Sequence, residues 1–302
     1  MLFNSVTYVI FLPACVALYF VMLDKLKNVF LLAASYFFYM CWEPKYIALI
    51  FFSTVVTWGA GYLIEMADTE NKRKLCLAVS IILNLSVLFL FKYYNFFAGI
   101  RESVIPGFNI NRSSFLLPVG ISFYTFQALG YAIDVYRGEE NGGIKHERNF
   151  ISYALLVSYF PQLVAGPIER SANLLPQIKT KQKFSVDNAV VGLRIILVGM
   201  FKKVVIADMI AMYVDQVYYN LDTFGAITTI SAVFLFSIQI YCDFGGYSDI
   251  ARGSAKIFGI DLMSNFNAPY FAKSIKDFWN RWHISLSTWF RDYLYFPLGE
   301  TV

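Results

Sequence analysis

The sequence has little charge: of its 302 residues, 15% are Asp, Glu, Lys or Arg and 58% are hydrophobic. Soluble domains carry about 25% charged and 45–50% apolar residues, and a chain of this size in water cannot bury so large an apolar share. A net charge of +4 together with 30 Phe excludes a disordered chain and a nucleic-acid-binding protein. The expected partner is therefore a lipid bilayer.

Histidine and cysteine are also scarce, with two His and four Cys in the whole chain. The cysteines at positions 15, 41, 76 and 242 are scattered and form no CxxC pair. Zinc sites need about four closely spaced His, Cys or acidic ligands. The sequence thus predicts no metal site and no tightly bound cofactor.

Long stretches without any charged residue divide the chain. A membrane-spanning helix needs about 20 apolar residues, and all but one of the gaps are near that length. The exception, 28–42, ends in an aromatic run suited to a membrane interface. We therefore predict an all-α, multi-pass membrane protein. The gaps lie before Asp24 and between Lys27 and Glu43, Lys45 and Glu65, Lys74 and Lys92, Arg112 and Asp134, Arg148 and Glu169, and Asp222 and Asp243.

The basic residues of the loops predict the orientation. With the N-terminus outside, loops 24–27, 65–74 and 137–148 face the cytoplasm, and their Lys and Arg residues outnumber those of the opposite loops, as the positive-inside rule requires. The cytoplasmic set is Lys25, Lys27, Lys72, Arg73, Lys74, Arg137, Lys145 and Arg148, and the outer set is Lys45, Lys92, Arg101 and Arg112.

Segment 149–168 is expected to enter and leave the membrane by one face. It contains Pro161, Gly166 and Pro167, and basic residues both precede and follow it. Such a re-entrant path is tolerated where protein or water satisfies the backbone, although a true span also fits the length. After residue 188 charges recur among aromatic residues, which indicates interfacial or cavity-lining helices within one continuous domain, 1–302.

The two histidines are the candidates for proton transfer near neutral pH. His146 lies in a polar loop and is expected to be solvated. His283 lies in an aromatic block, and a continuous helix there would place His283, Ser287 and Arg291 on one face. His283 can take a proton from a hydroxyl, and Arg291 can steady a developing negative charge. The alternative is a passive interfacial histidine.

Two carboxylates flank a glycine pair in a long apolar stretch. Asp243 and Asp249 surround Gly245 and Gly246. The pattern indicates a helix break with paired or hydrated carboxylates, and the alternative is a role on a substrate or ion pathway.

Five ordered segments form a recognisable set. They are LPVGISFYTFQ at 117–127, IDVYRG at 133–138, FPQLVAGPIER at 160–170, DFGGYSDIA at 243–251 and the block 278–299. Together they resemble the membrane-bound O-acyltransferases. Within that family, the sequence is similar to the membrane proteins of alginate O-acetylation and to the D-alanyl transferases of teichoic acid synthesis. The resemblance extends from residue 117 to the end of the chain.

The resemblance implies a funnel of helices, some re-entrant, in the bacterial inner membrane. It implies transfer of an acyl group, most often acetyl, from a cytoplasmic acetyl-CoA or carrier-protein thioester to hydroxyls of an exported polysaccharide such as alginate. Separate acetylation proteins on the outer side are the implied partners. Of the family's two histidines, His283 matches the one in the RWHISL block.

The family's second histidine, usually assigned the catalytic role, lies further downstream than Val302. The resemblance therefore implies a single family domain that lacks a C-terminal portion, and it assigns His283 to positioning or polarising the transfer centre. Two other functions stay open: an inactive scaffold, and a multi-pass transporter, which intramembrane charges also suit.

Overall fold

The computed structural model describes residues 1–104, 117–164 and 166–299, which contain helices and no strand. The prediction of an all-α, multi-pass membrane protein is confirmed. The predicted outer-loop residue Arg112 and the start of the span at 113–133 lie outside the described residues. The α-helices are α1 Val6–Val21, α2 Lys27–Met40, α3 Ile47–Met66, α4 Glu70–Leu88, α5 Tyr94–Val104, α6 Ile121–Arg137, α7 Phe150–Ser158, α8 Phe160–Leu163, α9 Ser171–Lys179, α10 Val186–Met200, α11 Asp208–Tyr219, α12 Ala226–Ile257, α13 Ile275–Arg281, α14 Ile284–Phe290 and α15 Phe296–Gly299.

Three of the uncharged gaps become helices long and apolar enough to cross a membrane. They are Pro44–Met66, Glu70–Arg101 and Ala226–Ile257. The second joins α4 to α5 through a π-helical stretch, Phe89–Tyr93. At 1.5 Å per residue, each exceeds the ~30 Å thickness of the hydrocarbon layer. The helices in other gaps are shorter, such as α1 with 16 residues and α2 with 14.

The contacts group the described chain into two compact units. The first unit comprises residues 1–27, 166–169 and 180–299, and the second comprises 28–104, 117–164 and 170–179. Each unit holds one histidine, His283 in the first and His146 in the second. The single continuous domain expected from the sequence stays a prediction.

Hydroxyl and amide side chains join the helices of the second unit. Ser53 of α3 donates to Asn84 of α4 at 2.5 Å, and Asn84 donates in turn to the carbonyl of Ser80 at 2.9 Å. The hydroxyls of Thr57 and Tyr153 lie 2.5 Å apart, which connects α3 to α7. All these groups are buried. Because lipid offers them no partner, these bonds satisfy polar groups that are otherwise costly to bury.

The segment expected to be re-entrant is broken. α7 has nine residues and ends before Tyr159, where α8 begins a second, four-residue helix. The amide of Gln162 donates to the carbonyl of Leu156 at 2.7 Å across the break, and the Phe160 N–H donates to Ser35 at 3.1 Å. A nine-residue helix is about 14 Å long, so this segment forms no single spanning helix. The re-entrant path itself stays a prediction.

Glycines bring two helices of the first unit into backbone contact. A Cβ atom on Gly199 of α10 would lie 2.7 Å from the carbonyl oxygen of Gly246 of α12. One on Gly192 would lie 2.6 Å from the carbonyl oxygen of Gly253. Both helices thus present glycines seven residues apart at matching heights. Small residues of this kind let helices approach closely in a membrane, where packing replaces the hydrophobic effect.

Two lysines that follow α10 meet the two aspartates of α12. Lys202 pairs with Asp249 at 2.6 Å, and Lys203 pairs with Asp243 at 2.6 Å and with Asp208 at 2.7 Å. Both lysines lie in a π-helical stretch, Phe201–Ala207, that joins α10 to α11.

The prediction of a helix break at Gly245 and Gly246 is wrong, because α12 continues unbroken past both. Gly246 is instead a contact point for α10. The expectation of paired carboxylates is confirmed by the two lysine pairs.

Candidate functional site

His283 lies at a break between two short helices. α13 ends at Arg281 and α14 starts at Ile284, while His283 has φ 42° and ψ 53° in the left-handed region. For a residue with a Cβ this conformation costs about 1–2 kcal/mol. The helix is thus interrupted at His283, and the stretch that carries Ser287 and Arg291 is helical from Ile284 onward. Non-glycine residues persist in such conformations where the surrounding structure enforces them, often at functional sites.

The two supporting candidates follow His283 on the chain, and each is held locally. The N–H of Ser287 donates to the carbonyl of His283 at 3.0 Å, and its hydroxyl donates to the carbonyl of Trp282 at 3.3 Å. The guanidinium of Arg291 pairs with Asp292 at 2.7 Å. Ser287 thus stays one turn from His283, whereas the charge of Arg291 is compensated by its neighbour. Their roles stay predictions.

The imidazole of His283 packs against one ring of an aromatic cluster. It meets the ring of Phe244 edge to face, with 4.6 Å between the ring centres and an interplanar angle of 88°. Phe244 packs against Phe266 at 5.1 Å, and Phe266 packs against Trp282 at 5.0 Å. Burial in these surroundings lowers the pKa of His283 from its ordinary 6.5 to about 4. Desolvation disfavours the charged imidazolium, so the side chain is neutral at physiological pH.

A neutral imidazole has one nitrogen that donates and one that accepts. It can accept a hydroxyl proton or donate a hydrogen bond to a carbonyl oxygen. A pKa of about 4 makes His283 a weak base, and the best general bases titrate near the working pH. The arrangement therefore suits polarising or orienting a reacting group better than holding its proton.

The second histidine, His146, is buried, so the prediction of a solvated loop residue is wrong. Its Nδ1 lies 2.9 Å from the hydroxyl of Tyr131, which also accepts the N–H of Glu147 at 2.8 Å. The rings of Trp58 and Tyr62 pack on the imidazole at 5.3 and 5.9 Å. Burial lowers the pKa of His146. The aromatic partners come from α3 and α6, so the polarity of its own loop concealed this burial.

A cavity of about 410 Å³ lies beside His146 within the second unit. It is lined by both acids and bases, among them Glu65, Arg73 and Arg137. Lys145 on its wall pairs with Glu139 at 3.0 Å. This mixed lining selects neither an anion nor a cation. Among the described residues, no three His, Cys, Asp or Glu side chains are placed to hold a metal ion.

Known proteins resemble the chain in sequence. Residues 143–302 match the membrane-bound O-acyltransferase family. A probable alginate O-acetylase AlgI of Azotobacter vinelandii is 37% identical over 99% of this chain and 60% of its own length. A peptidoglycan O-acetyltransferase of Helicobacter pylori is 37% identical over 99% of this chain and 62% of its own length. A teichoic acid D-alanyltransferase of Bacillus subtilis is 30% identical over 78% of this chain and 57% of its own length.

The chain spans about three fifths of the length of these curated relatives. The family match covers the whole of α12, α13 and α14, and thus both the break at His283 and the aromatic rings around it. It also covers His146, near its first residue.

Proposed function

Because this chain belongs to the membrane-bound O-acyltransferase family, we propose that it serves the transfer of an acetyl group to hydroxyls of an exported polysaccharide such as alginate. Relatives named as O-acetylases or O-acetyltransferases are 36–38% identical over 99% of the chain, whereas the D-alanyltransferase of Bacillus subtilis is 30% identical over 78%. This difference favours acetyl over D-alanyl.

The neutral imidazole of His283, held at a strained helix break, carries the proposal. In the reaction, the acceptor hydroxyl oxygen bonds to the thioester carbonyl carbon, the carbon–sulfur bond breaks, and the hydroxyl proton passes to the departing thiolate. His283 orients the hydroxyl or donates a hydrogen bond to the carbonyl oxygen as negative charge develops there. The surrounding aromatic rings exclude water, which protects the thioester from hydrolysis.

The donor, the topology and the partners belong to the proposal. The acetyl group comes from acetyl-CoA or from a carrier-protein thioester on the cytoplasmic side, with no tightly bound cofactor. The chain lies in the inner membrane with its N-terminus outside, as the basic loops indicate. Acetylation proteins on the outer side handle the exported polysaccharide.

Acetyl transfer is tested with membranes that contain the chain, labelled acetyl-CoA or labelled acetyl-carrier protein, and an alginate oligosaccharide. We expect label in the oligosaccharide with one of the two donors, at a rate above that of membranes without the chain. No label with either donor would contradict the proposal and favour a scaffold. Movement of oligosaccharide across the membrane without any donor would favour a transporter.

The orientation is tested with the native cysteines. Cys41 is exposed and follows α2, which places it on the predicted outer side, whereas Cys76 lies near the cytoplasmic start of α4. A membrane-impermeant maleimide should label Cys41 in intact cells and Cys76 only after permeabilisation. The reverse pattern would contradict the orientation.

A further inference from the structure

A short segment of the first unit runs beside the break at His283. The N–H of Ile284 donates to the carbonyl of Asn265 at 2.9 Å, and the N–H of Asn267 donates to the carbonyl of Arg281 at 3.0 Å. These bonds join the segment to the backbone on both sides of His283. The break is therefore fixed by residues 14 to 19 positions earlier in the chain, and not by its own sequence.

Asn265 supplies two of the acceptors that hold the break. It is 1% exposed, and besides its carbonyl its side-chain Oδ1 accepts the N–H of Ser285 at 3.3 Å. The first N–H groups of a helix lack acceptors within that helix. Asn265 satisfies those of Ile284 and Ser285, while the side chain of His283 makes no capping bond. Asn265 thus caps α14 in place of His283, which occupies the cap position.

Strained backbone occurs in both of the segments that these hydrogen bonds join. Within the described parts of the chain, Ala268 and His283 are the two non-glycine residues with positive φ, 45° and 42°. Strained backbone of this kind persists where neighbouring bonds determine it. Removing the Asn265 amide would remove one of the hydrogen bonds that stabilise the left-handed conformation of His283.

The amide of Asn265 is also uncharged, which matters because Asn265 caps the two residues that follow His283. Asparagine and aspartate cap helices about equally well, and the Nδ2 of Asn265 is buried without a hydrogen-bond partner among the described residues. Aspartate would avoid that unpaired group, but its negative charge would favour the imidazolium. An amide at this position caps α14 and adds no charge.

Three ion pairs compensate charges on the elements around His283. On α12, Asp243 pairs with Lys203; on α13, Asp277 pairs with Arg281; after α14, Asp292 pairs with Arg291. Other titratable groups on these elements are Tyr241, Cys242 and Tyr247 of α12 and Lys276 of α13. A carboxylate at position 265 would therefore add a negative charge to the residue that caps Ile284 and Ser285, directly after His283.

We propose that Asn265 is a positioning residue for His283: it caps α14 in place of the histidine and adds no charge at that cap. The proposal rests on the proposed part of His283 in acetyl transfer. The geometry that it claims is tested separately from that activity.

The test compares three variants in the full chain: Asn265→Ala, Asn265→Asp and the matched control Asn84→Ala, which removes a buried asparagine of the second unit. Diethyl pyrocarbonate modifies neutral imidazoles, and with two histidines in the chain mass spectrometry reads each one. His146 is the internal reference. Acetyl transfer is followed against pH in the same preparations.

In Asn265→Ala we expect His283 to be modified at least fivefold faster, with His146 changed less than twofold. In Asn265→Asp we expect the cap to persist. The rate at which His283 is modified should decrease at pH values below 7, and the acid limb of the transfer rate should move up by about one pH unit or more. Asn84→Ala should leave His283 as in the wild type.

If Asn265→Ala does not fold, Asn265→Asp decides alone through its pH dependence. Wild-type reactivity and pH dependence of His283 in Asn265→Asp would overturn the proposal, as would wild-type reactivity in a folded Asn265→Ala. A wild-type chain that transfers no acetyl group, with His283 responding as above, would instead contradict the proposed function and leave the positioning role standing.

Discussion

Each of the two units holds one histidine, and the two lie in different surroundings: His146 is buried, whereas His283 is half-buried. His146 lies in ordinary backbone, and its Nδ1 shares a hydrogen bond with Tyr131. His283 lies in left-handed backbone, and its ring meets that of Phe244 edge to face. Aromatic packing is thus common to both, and backbone strain belongs to His283. The contrast teaches that burial alone does not mark a functional histidine, whereas strain enforced from elsewhere in the chain gives a reason to propose a function.

The units also differ in how their helices meet. In the first unit, α10 and α12 touch through glycines and ion pairs. In the second, hydroxyls, amides and aromatic rings connect the helices. Backbone contact leaves no room for an added atom, while side-chain contacts can adjust. The contact between α10 and α12 therefore tolerates small additions poorly.

The largest effect is expected from Gly199→Ala. Its Cβ would meet the carbonyl oxygen of Gly246 at 2.7 Å, and this backbone atom moves only with its helix. Overpacking costs about 1–3 kcal/mol, occasionally more, so we expect clear loss of folded protein in thermal unfolding. The matched control is Gly59→Ala, in a helix where nothing lies within 4 Å of the added Cβ; it should be neutral or stabilising. Equal behaviour of the two variants would contradict the close packing.

A loss of tenfold or more in acetyl transfer is expected for His283→Ala, because proton-transfer and polarising groups contribute on that scale or above. His146→Ala should lower stability and change the transfer rate per folded protein less than threefold. Both are measured in the acetyl-transfer assay at matched protein levels. Comparable losses in the two variants would remove the distinction between the histidines.

Tyr131→Phe should destabilise the second unit by about 1–3 kcal/mol. The change removes the hydroxyl that meets His146 and accepts the N–H of Glu147, and it leaves a buried N–H without an acceptor. The shift of the denaturation midpoint measures it. An unchanged midpoint would show that Tyr131 does not hold His146.

The smallest effect concerns stability against pH. The unfolded chain binds a proton at His283 near its ordinary pKa of 6.5, whereas the folded protein binds it near pH 4. Its contribution is therefore complete above pH 6.5 and is lost as the pH falls towards 4. Between pH 7 and 5, stability should fall less in His283→Ala than in the wild type. Parallel curves would contradict the lowered pKa.

Much of the fold could be predicted from where charges are missing. The gaps at 46–64 and 75–91 fall within helices of spanning length, and the gap at 223–242 overlaps a third from Ala226 onward. The continuous helical run from 186 to 219 could not be predicted in this way, because Lys202, Lys203 and other charges seemed to interrupt it. Their partners lie on α12 or further along the run, and only tertiary contacts show that the charges are compensated.

The position of the candidate site could be predicted from the sequence, but its backbone geometry could not. The aromatic block around His283 indicates the region, whereas the spacing does not show that the helix carrying Ser287 and Arg291 begins only after His283. No glycine or proline lies at the break, since it is imposed by backbone bonds from Asn265 and Asn267. His146 was misjudged for the same reason: its neighbours in space come from α3 and α6.

The central claim is that the fold holds His283 neutral at a strained helix break. A titration of the histidine side chains by NMR, with ¹⁵N-histidine in the full chain, tests it most directly, because the two signals are assigned by His146→Ala. We predict that His283 stays neutral from pH 8 down to about 5 and titrates near pH 4. A midpoint at or above 6.5 would contradict the account.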